Sequence, residues 1–150
     1  MANSRKINIG CGPYKEGGYI NIDINPIHNP DIVRDVTRGL PFDSDSVSEI
    51  RAYHFLEHLD NHDTIFVIKE CYRVLIDGGM LDIVVPLGNS GELDHKMQFT
   101  ETSFDLLLLS EDTRINFDTQ MYWGLINKET FQQKTLSLRV VMRKNIKANS

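Results

Sequence analysis

INIGCGPYKEGGYINIDI, residues 7–24, places two short apolar runs, Lys6–Ile9 and Tyr19–Ile24, on either side of a glycine turn, and the second run carries Asp23. A strand, a glycine turn and a second strand ending in an acid is how nucleotide-binding α/β folds begin, but those folds put a helix between the strands. Here only Pro13–Gly18, six residues, stand in its place. Six residues in helix advance about 9 Å, whereas an extended segment covers roughly 20 Å. An extended return is therefore feasible, although parallel crossovers usually take a dozen residues or more. The loop also bears on the ligand. A G-x-G-x-x-G fingerprint needs a third glycine where Lys15 falls, and a pyrophosphate needs a helix N-terminus that Pro13–Gly18 cannot form. The stretch suits a phosphate-free nucleoside better than a dinucleotide.

Outward from this stretch, apolar runs predict strands at Asp31–Asp35, Val47–Ala52 and Met80–Pro86. The last, MLDIVVP, is almost continuously apolar, the pattern of a strand covered on both faces. Ile65, Ile68, Tyr72 and Leu75 recur at helical spacing, so Asp63–Leu75 predicts a helix. Asp77-Gly78-Gly79 then reads as its stop and the turn into the next strand. A second helix is predicted over Glu101–Leu109 with Thr100 as N-cap. Leu136–Arg143 alternates as a strand, and strand content is expected near Asn116–Gly124. Strands interleaved with helices predict an α/β fold with an open, mostly parallel sheet and an antiparallel C-terminal strand.

The 150 residues read as a single domain of ordinary composition, 41% hydrophobic and 25% charged. No apolar run follows MANSRK, and Leu106–Leu109 is far too short to span a bilayer, so neither a secretory signal nor a membrane partner is expected. Cys11 and Cys71 are isolated and show no metal-type spacing, which predicts a reduced, cytoplasmic setting. The net charge of −5 is unevenly spread. Residues 128–150 hold six of the 16 basic side chains and one of the 21 acids, leaving 10 basic and 20 acidic side chains in the body. An acidic body argues against nucleic acid as a partner, because phosphate-backbone binding needs clustered cations. The basic end reads as a solvated strand end and tail.

In an open α/β sheet the ligand lies beyond the carboxyl ends of the strands. Gly10-Cys11-Gly12, Asp23-Ile24-Asn25, Asp35-Val36-Thr37 and Tyr53-His54 all follow predicted strand ends. Glycines at 10 and 12 let the backbone turn and approach a ligand closely. Asp23 suits two vicinal ribose hydroxyls, and Asp35 an exocyclic amine of a base.

In this order the segments INIGCG, YINIDI, DIVRDVTRGLPFDSDSVSEIRAYHFLEHL and IKECYRVLIDGGMLDIVVP resemble a class I S-adenosylmethionine-dependent methyltransferase. More narrowly, they are similar to the short methyltransferase type 11 group, whose members often carry an abbreviated first loop. The resemblance covers about residues 6–87, with a weaker echo through DHKMQFTETSF. It implies a Rossmann-like methyltransferase sheet and S-adenosylmethionine as cofactor. It further implies that Gly10, Cys11 and Gly12 pass beneath the methionine part, that Asp23 holds the ribose and that Ile24 packs on the adenine. Asp35 and Val36 would meet the adenine edge, and Tyr53 and His54 would line the place where the methyl group is presented. His95 is implied near the substrate opening, where its imidazole suits general-base work.

The methyl acceptor is expected to be a small molecule or sugar, attacked through an O or N atom. No N-P-P-Y or D-P-P-Y follows the fourth strand, as an amino-directed nucleic-acid methyltransferase would have. With the first strand so near Met1, no N-terminal helical cap is expected, and a second copy or a partner subunit would complete an open pocket. A cofactor-binding subunit without activity of its own is the alternative. A remoter one is zinc hydrolysis, because HFLEH, residues 54–58, fits H-x-x-E-H. On a helix His54 and His58 would grip one metal beside Glu57, with Glu70 or His62 as third ligand. The plainer reading makes His58 a polar helix residue and expects no metal.

Overall fold

The connection between the first two strands contains no helix. The computed structural model describes residues 4–88, 91–105 and 121–145. In it β1 (Arg5–Ile9) and β2 (Ile20–Asp23) pair in parallel, with Ile7 opposite Ile20, Asn8 opposite Asn21 and Ile9 opposite Ile22. Two turns make the return, closed by the Tyr14 N–H on the Cys11 carbonyl (3.0 Å) and the Tyr19 N–H on the Glu16 carbonyl (3.3 Å). The paired asparagines hold it down. The Asn21 Oδ1 accepts from the Glu16 N–H (2.8 Å) and from Asn8 Nδ2 (3.0 Å), and Asn21 Nδ2 donates to the carbonyls of Glu16 and Tyr19. Both side chains are buried. The loop's backbone groups thus find side-chain partners where a helix would have satisfied its own.

Beyond it come β3 (Ile32–Val33), β4 (Val47–Tyr53), α1 (Asn61–Val74), β5 (Leu75–Pro86), β6 (Tyr122–Gln132) and β7 (Leu136–Asn145). The seven strands run in the order β3-β2-β1-β4-β5-β7-β6. All pairs from β3 to β5 are parallel, while β7 and β6 are antiparallel. This is the mostly parallel α/β sheet with antiparallel C-terminal strands. The strand order reverses between β1 and β4, and a crevice is expected at that switch point.

Register sorts the two faces. Ile7, Ile50, Leu81 and Met142 lie opposite one another across four strands and are buried to within 1%. They share one apolar cluster with Val67, Ile68, Cys71 and Val74 of α1, each such side chain contributing about 1.5–3 kcal/mol by burial. One residue along, the row reads Asn21, Asn8, Arg51 and Asp82. This second face is knit by ions and rings: Lys6–Glu49 (3.2 Å), Arg51–Glu16 (2.6 Å), the Tyr19 hydroxyl on Glu49, and Arg51 stacked 4.0 Å over the Tyr53 ring.

Several boundaries differ from the sequence expectation. Asp60 caps α1 by accepting the Asp63 N–H (2.8 Å), so the helix begins earlier than Asp63. Its buried face is Thr64, Val67, Ile68, Cys71 and Val74; Ile65 is only half-buried, and Tyr72 packs against the edge of the core with its hydroxyl donating to the Asn145 carbonyl. β5 starts directly at Leu75, and Asp77-Gly78-Gly79 forms an irregularity within it rather than a linking turn. The third strand shrinks to Ile32–Val33 because its flanking acids are used elsewhere. Asp31 takes the Asn21 N–H (2.7 Å), and Asp35 caps a single 3-10 turn at Val36–Arg38. Residues 101–104 make turns, with the Ser103 hydroxyl accepting the Thr100 N–H (2.8 Å), and helical backbone is first reached at Asp105, later than Glu101. The rest of that predicted helix, and residues 116–120 of the expected strand, lie outside the described residues.

Candidate functional site

A cleft of ≈ 1780 Å³ opens at the carboxyl ends of β1, β2 and β4 and runs onto the polar face of the sheet. Gly10, Cys11, Gly12, Asp23, Ile24, Asp35, Val36, Tyr53, His54 and His95, the residues singled out from the sequence, all line it. Tertiary structure therefore brings the whole expected set together, although it spans residues 10 to 95.

The two glycines of the turn differ. Gly10 has φ +62°, and a Cβ there would stand 2.2 Å from Phe55 Cδ2, so the turn packs against the segment following β4. Gly12, at φ +52°, would meet nothing within 4 Å. Its open side is the surface against which a ligand can lie. Asp23 ties the turn to the end of β2: its Oδ2 accepts the Gly12 N–H and its Oδ1 the Asn25 N–H, both at 2.8 Å. Each carboxylate oxygen keeps lone-pair capacity for a further donor, which is what a vicinal diol would supply. Ile24 is 64% exposed beside it, an apolar surface available for a flat ring. Asp35 Oδ1 is engaged by the Thr37 N–H (3.0 Å) and hydroxyl (2.6 Å), and Val36 is buried behind it. Burial, with Asp23 nearby, pushes the Cys11 thiol up from its usual range, so it stays neutral and packs.

At the end of β4, the Tyr53 hydroxyl donates to Asp82 Oδ2 (2.6 Å), and Arg139 grips the same carboxylate with Nε on Oδ1 (3.1 Å) and Nη2 on Oδ2 (2.9 Å). Burial and this bond raise the phenol's pKa, so Tyr53 is a fixed neutral donor. The next residue, His54, has φ +52° and donates its N–H to the Val84 carbonyl (2.8 Å). Partial burial lowers its imidazole pKa, favouring the neutral form.

HFLEH is not an α-helix. His54 stands in the left-handed region, and only Leu56–His58 forms a 3-10 turn. His54 and His58 are consequently not stacked one helical turn apart, and neither proposed third ligand joins them. Glu70 is held by Arg73 (2.7 Å) and the Leu40 N–H (2.7 Å), while His62 is 91% exposed beside Asp63. Instead the Glu57 side chain, 1% exposed, turns inward, with His58 Nε2 and His54 Nδ1 3.9 and 3.8 Å from its Oε1. Burial pushes its carboxyl up to about 7. The His95 ring meets that of His58 edge-on at 4.9 Å. Sequence reasoning placed His95 near the opening but did not foresee this contact. It also missed Asn8, Asn21, Asp82 and Arg139; the only signal was the asparagine shared by INIG and INID.

Comparison with known proteins fits this geometry. Residues 19–83 match a family model described as a methyltransferase domain. No curated protein sequence matches the chain. Among solved structures, a SAM-dependent methyltransferase from Methanosarcina mazei superposes with a TM-score of 0.71 at 17% identity, covering 98% of this chain and 95% of that one. The N-methyltransferase NodS from Bradyrhizobium japonicum, in complex with S-adenosyl-L-homocysteine, gives 0.65 at 14% identity over 94% and 78%. The [4+2]-cyclase SpnF gives 0.68 at 12% identity over 97% and 77%, so the same fold also carries other chemistry. The chain thus has the fold of these S-adenosylmethionine-dependent methyltransferases, and its residues 19–83 are similar to the methyltransferase domain family. Among the described residues, no helix is long and apolar enough to cross a membrane.

Proposed function

We propose that the chain transfers the methyl group of S-adenosylmethionine to an oxygen or nitrogen of a small-molecule or sugar-type acceptor entering the outer half of the cleft. The observation that carries this reading is the cleft's extent. At ≈ 1780 Å³ it exceeds the roughly 300–1,000 Å³ of ordinary small-molecule sites. It leaves room beyond the cofactor that is bounded by Tyr53, His54, His95 and the β6–β7 hairpin residues Phe131 and Gln133. Asp23 holds the ribose hydroxyls, Gly10, Cys11 and Gly12 underlie the methionine part, and Ile24, Asp35 and Val36 surround the adenine. Tyr53 and His54 border the methyl group.

In the transfer, a lone pair of the acceptor atom bonds to the methyl carbon as the carbon–sulfur bond breaks. Bound there, S-adenosylmethionine would supply the electrophilic methyl carbon and a neutral thioether as leaving group, and His95 would take the acceptor's proton. Positioning in line is the main catalytic effect, and the neutral His54 and Tyr53 add no positive charge beside the sulfonium. The width of the open cleft favours a second reading, in which a second copy or partner subunit covers the site and turnover depends on it.

Calorimetric titration with S-adenosylmethionine tests the first layer. Asp23→Ala should weaken binding by about 1–3 kcal/mol, the cost of leaving polar partners unpaired, and His95→Ala should slow turnover while sparing cofactor affinity. Folded wild-type protein that binds no cofactor would overturn the reading. Binding without turnover across an acceptor panel, restored by a partner, would favour the second.

A further inference from the structure

Three groups of potential metal-binding side chains occur among the described residues. Asp60, His62 and Asp63 form an exposed turn whose carboxylate already caps α1. Glu92, Asp94 and His95 have no buried member. Glu57, His58 and His95 differ, because the Glu57 side chain is 1% exposed and its buried Oε2 has no hydrogen-bond partner among the described residues. An unpaired buried carboxylate oxygen is costly, and such an orphan in a native fold points to a missing ligand.

We infer that Glu57, His58 and His95 form a divalent transition-metal site on the acceptor side of the cleft. Their donor atoms lie within 4.8 Å of one another, and ligands about 2.0–2.2 Å from one ion stand about 3.4 Å apart in a tetrahedron. Small side-chain rotations close that gap. The site is built from two distant pieces of chain that the backbone locks together: the Glu57 carbonyl accepts the N–H groups of Lys96 (2.8 Å) and Met97 (3.1 Å). Carboxylates back both imidazoles, Asp94 Oδ2 lying 3.3 Å from His58 Nδ1 and Glu92 Oε2 2.8 Å from His95 Nε2. Such outer carboxylates orient metal-binding histidines. Two imidazoles with one carboxylate suit zinc, iron or cobalt rather than magnesium or calcium.

All three ligands line the cleft, so the remaining coordination positions serve the acceptor. The class this selects is a hydroxyl acceptor. The bound ion lowers the hydroxyl's pKa; its proton leaves to water, and the resulting oxygen attacks the methyl carbon. His95 then acts as ligand instead of base. This assignment of the acceptor rests on the methyl-transfer reading, whereas metal binding itself does not.

The test is titration of the full-length, metal-stripped protein with cobalt(II) and zinc(II) chloride, followed by absorption spectroscopy and elemental analysis. One equivalent should bind, with the visible bands of a low-coordinate cobalt site. Glu57→Gln and His95→Ala should each weaken affinity by about 100-fold or more, and Asp94→Ala by about 10-fold. His62→Ala should change nothing. Circular dichroism of each variant establishes that it is folded; should Glu57→Gln not fold, His95→Ala carries the test. No stoichiometric binding to wild type, or binding unaffected in the folded ligand variants, would overturn the site. Loss in His62→Ala alone would place the metal at the helix start and overturn it too. Calorimetry with S-adenosylmethionine on the same samples separates the two readings, since metal binding without cofactor binding would sink methyl transfer and leave the metal site standing.

Discussion

The two faces of the sheet are built on opposite principles. On the face covered by α1, Ile7, Ile50, Leu81 and Met142 stand in register and exclude water. On the other, the row Asn21, Asn8, Arg51 and Asp82 is held by directed hydrogen bonds and ion pairs. Apolar packing tolerates exchange among side chains of similar volume, but a polar row fails when one partner is removed, because the other is left buried and unpaired. The first face supplies stability without geometry. The second supplies geometry, and the cleft lies along it.

The largest effect that would break this contrast is expected where the two faces meet, at Gly10. Gly10→Ala forces a Cβ into Phe55 and leaves an L-residue at φ +62°. Overpacking and left-handed strain together should cost about 3 kcal/mol in urea unfolding. An unchanged midpoint would mean that the Phe55 ring yields freely and does not support the turn. Asn21→Ala comes next. It strips partners from Glu16, Tyr19 and Asn8 and should cost about 1–3 kcal/mol while weakening cofactor binding through the loosened loop. Loss of stability with full cofactor affinity would confine the asparagine pair to a packing role.

Gly12→Ala sharpens the comparison with Gly10, since its Cβ meets open space. Only the left-handed strain remains, about 1–2 kcal/mol, so calorimetry should show affinity for S-adenosylmethionine falling more than thermal stability. Equal losses would remove Gly12 from the ligand surface. The smallest effect is expected at Glu70, on the helix side. Its bonds to Arg73 and the Leu40 N–H hold its carboxyl below the usual 4.5. A depressed folded-state pKa stabilises above the unfolded value and is lost as pH falls through the folded one. Glu70→Gln should therefore lower stability at pH 7 by under about 1 kcal/mol, because the pair is partly exposed. That difference should shrink below pH 4.5; a gap that persisted into acid would assign it to packing rather than charge.

What was legible in the sequence was local. Gly10 and Gly12 announce a backbone turn, Asp23 and Asp35 end their strands, and MLDIVVP declares a strand buried on both sides, because each depends on neighbours within a few residues. The order of these signals was enough to anticipate the fold, and the structure brings the residues they single out to one cleft. HFLEH misled for the opposite reason. Its spacing fits a helix, but the close approach of Gly10 to Phe55 and the left-handed His54 allow only a 3-10 turn.

By itself, then, the sequence determined the strand order's raw material, the glycine turn and the identity of the acids that follow the strands. Only the tertiary structure decided that Asn8 and Asn21 stand opposite each other and replace a helix, since register is a property of paired strands and not of either one. Only it turned Glu57 inward and carried His95 across 37 residues to the His58 ring. Contacts of that kind arise when loops close over a packed sheet, and no periodicity within either segment encodes them.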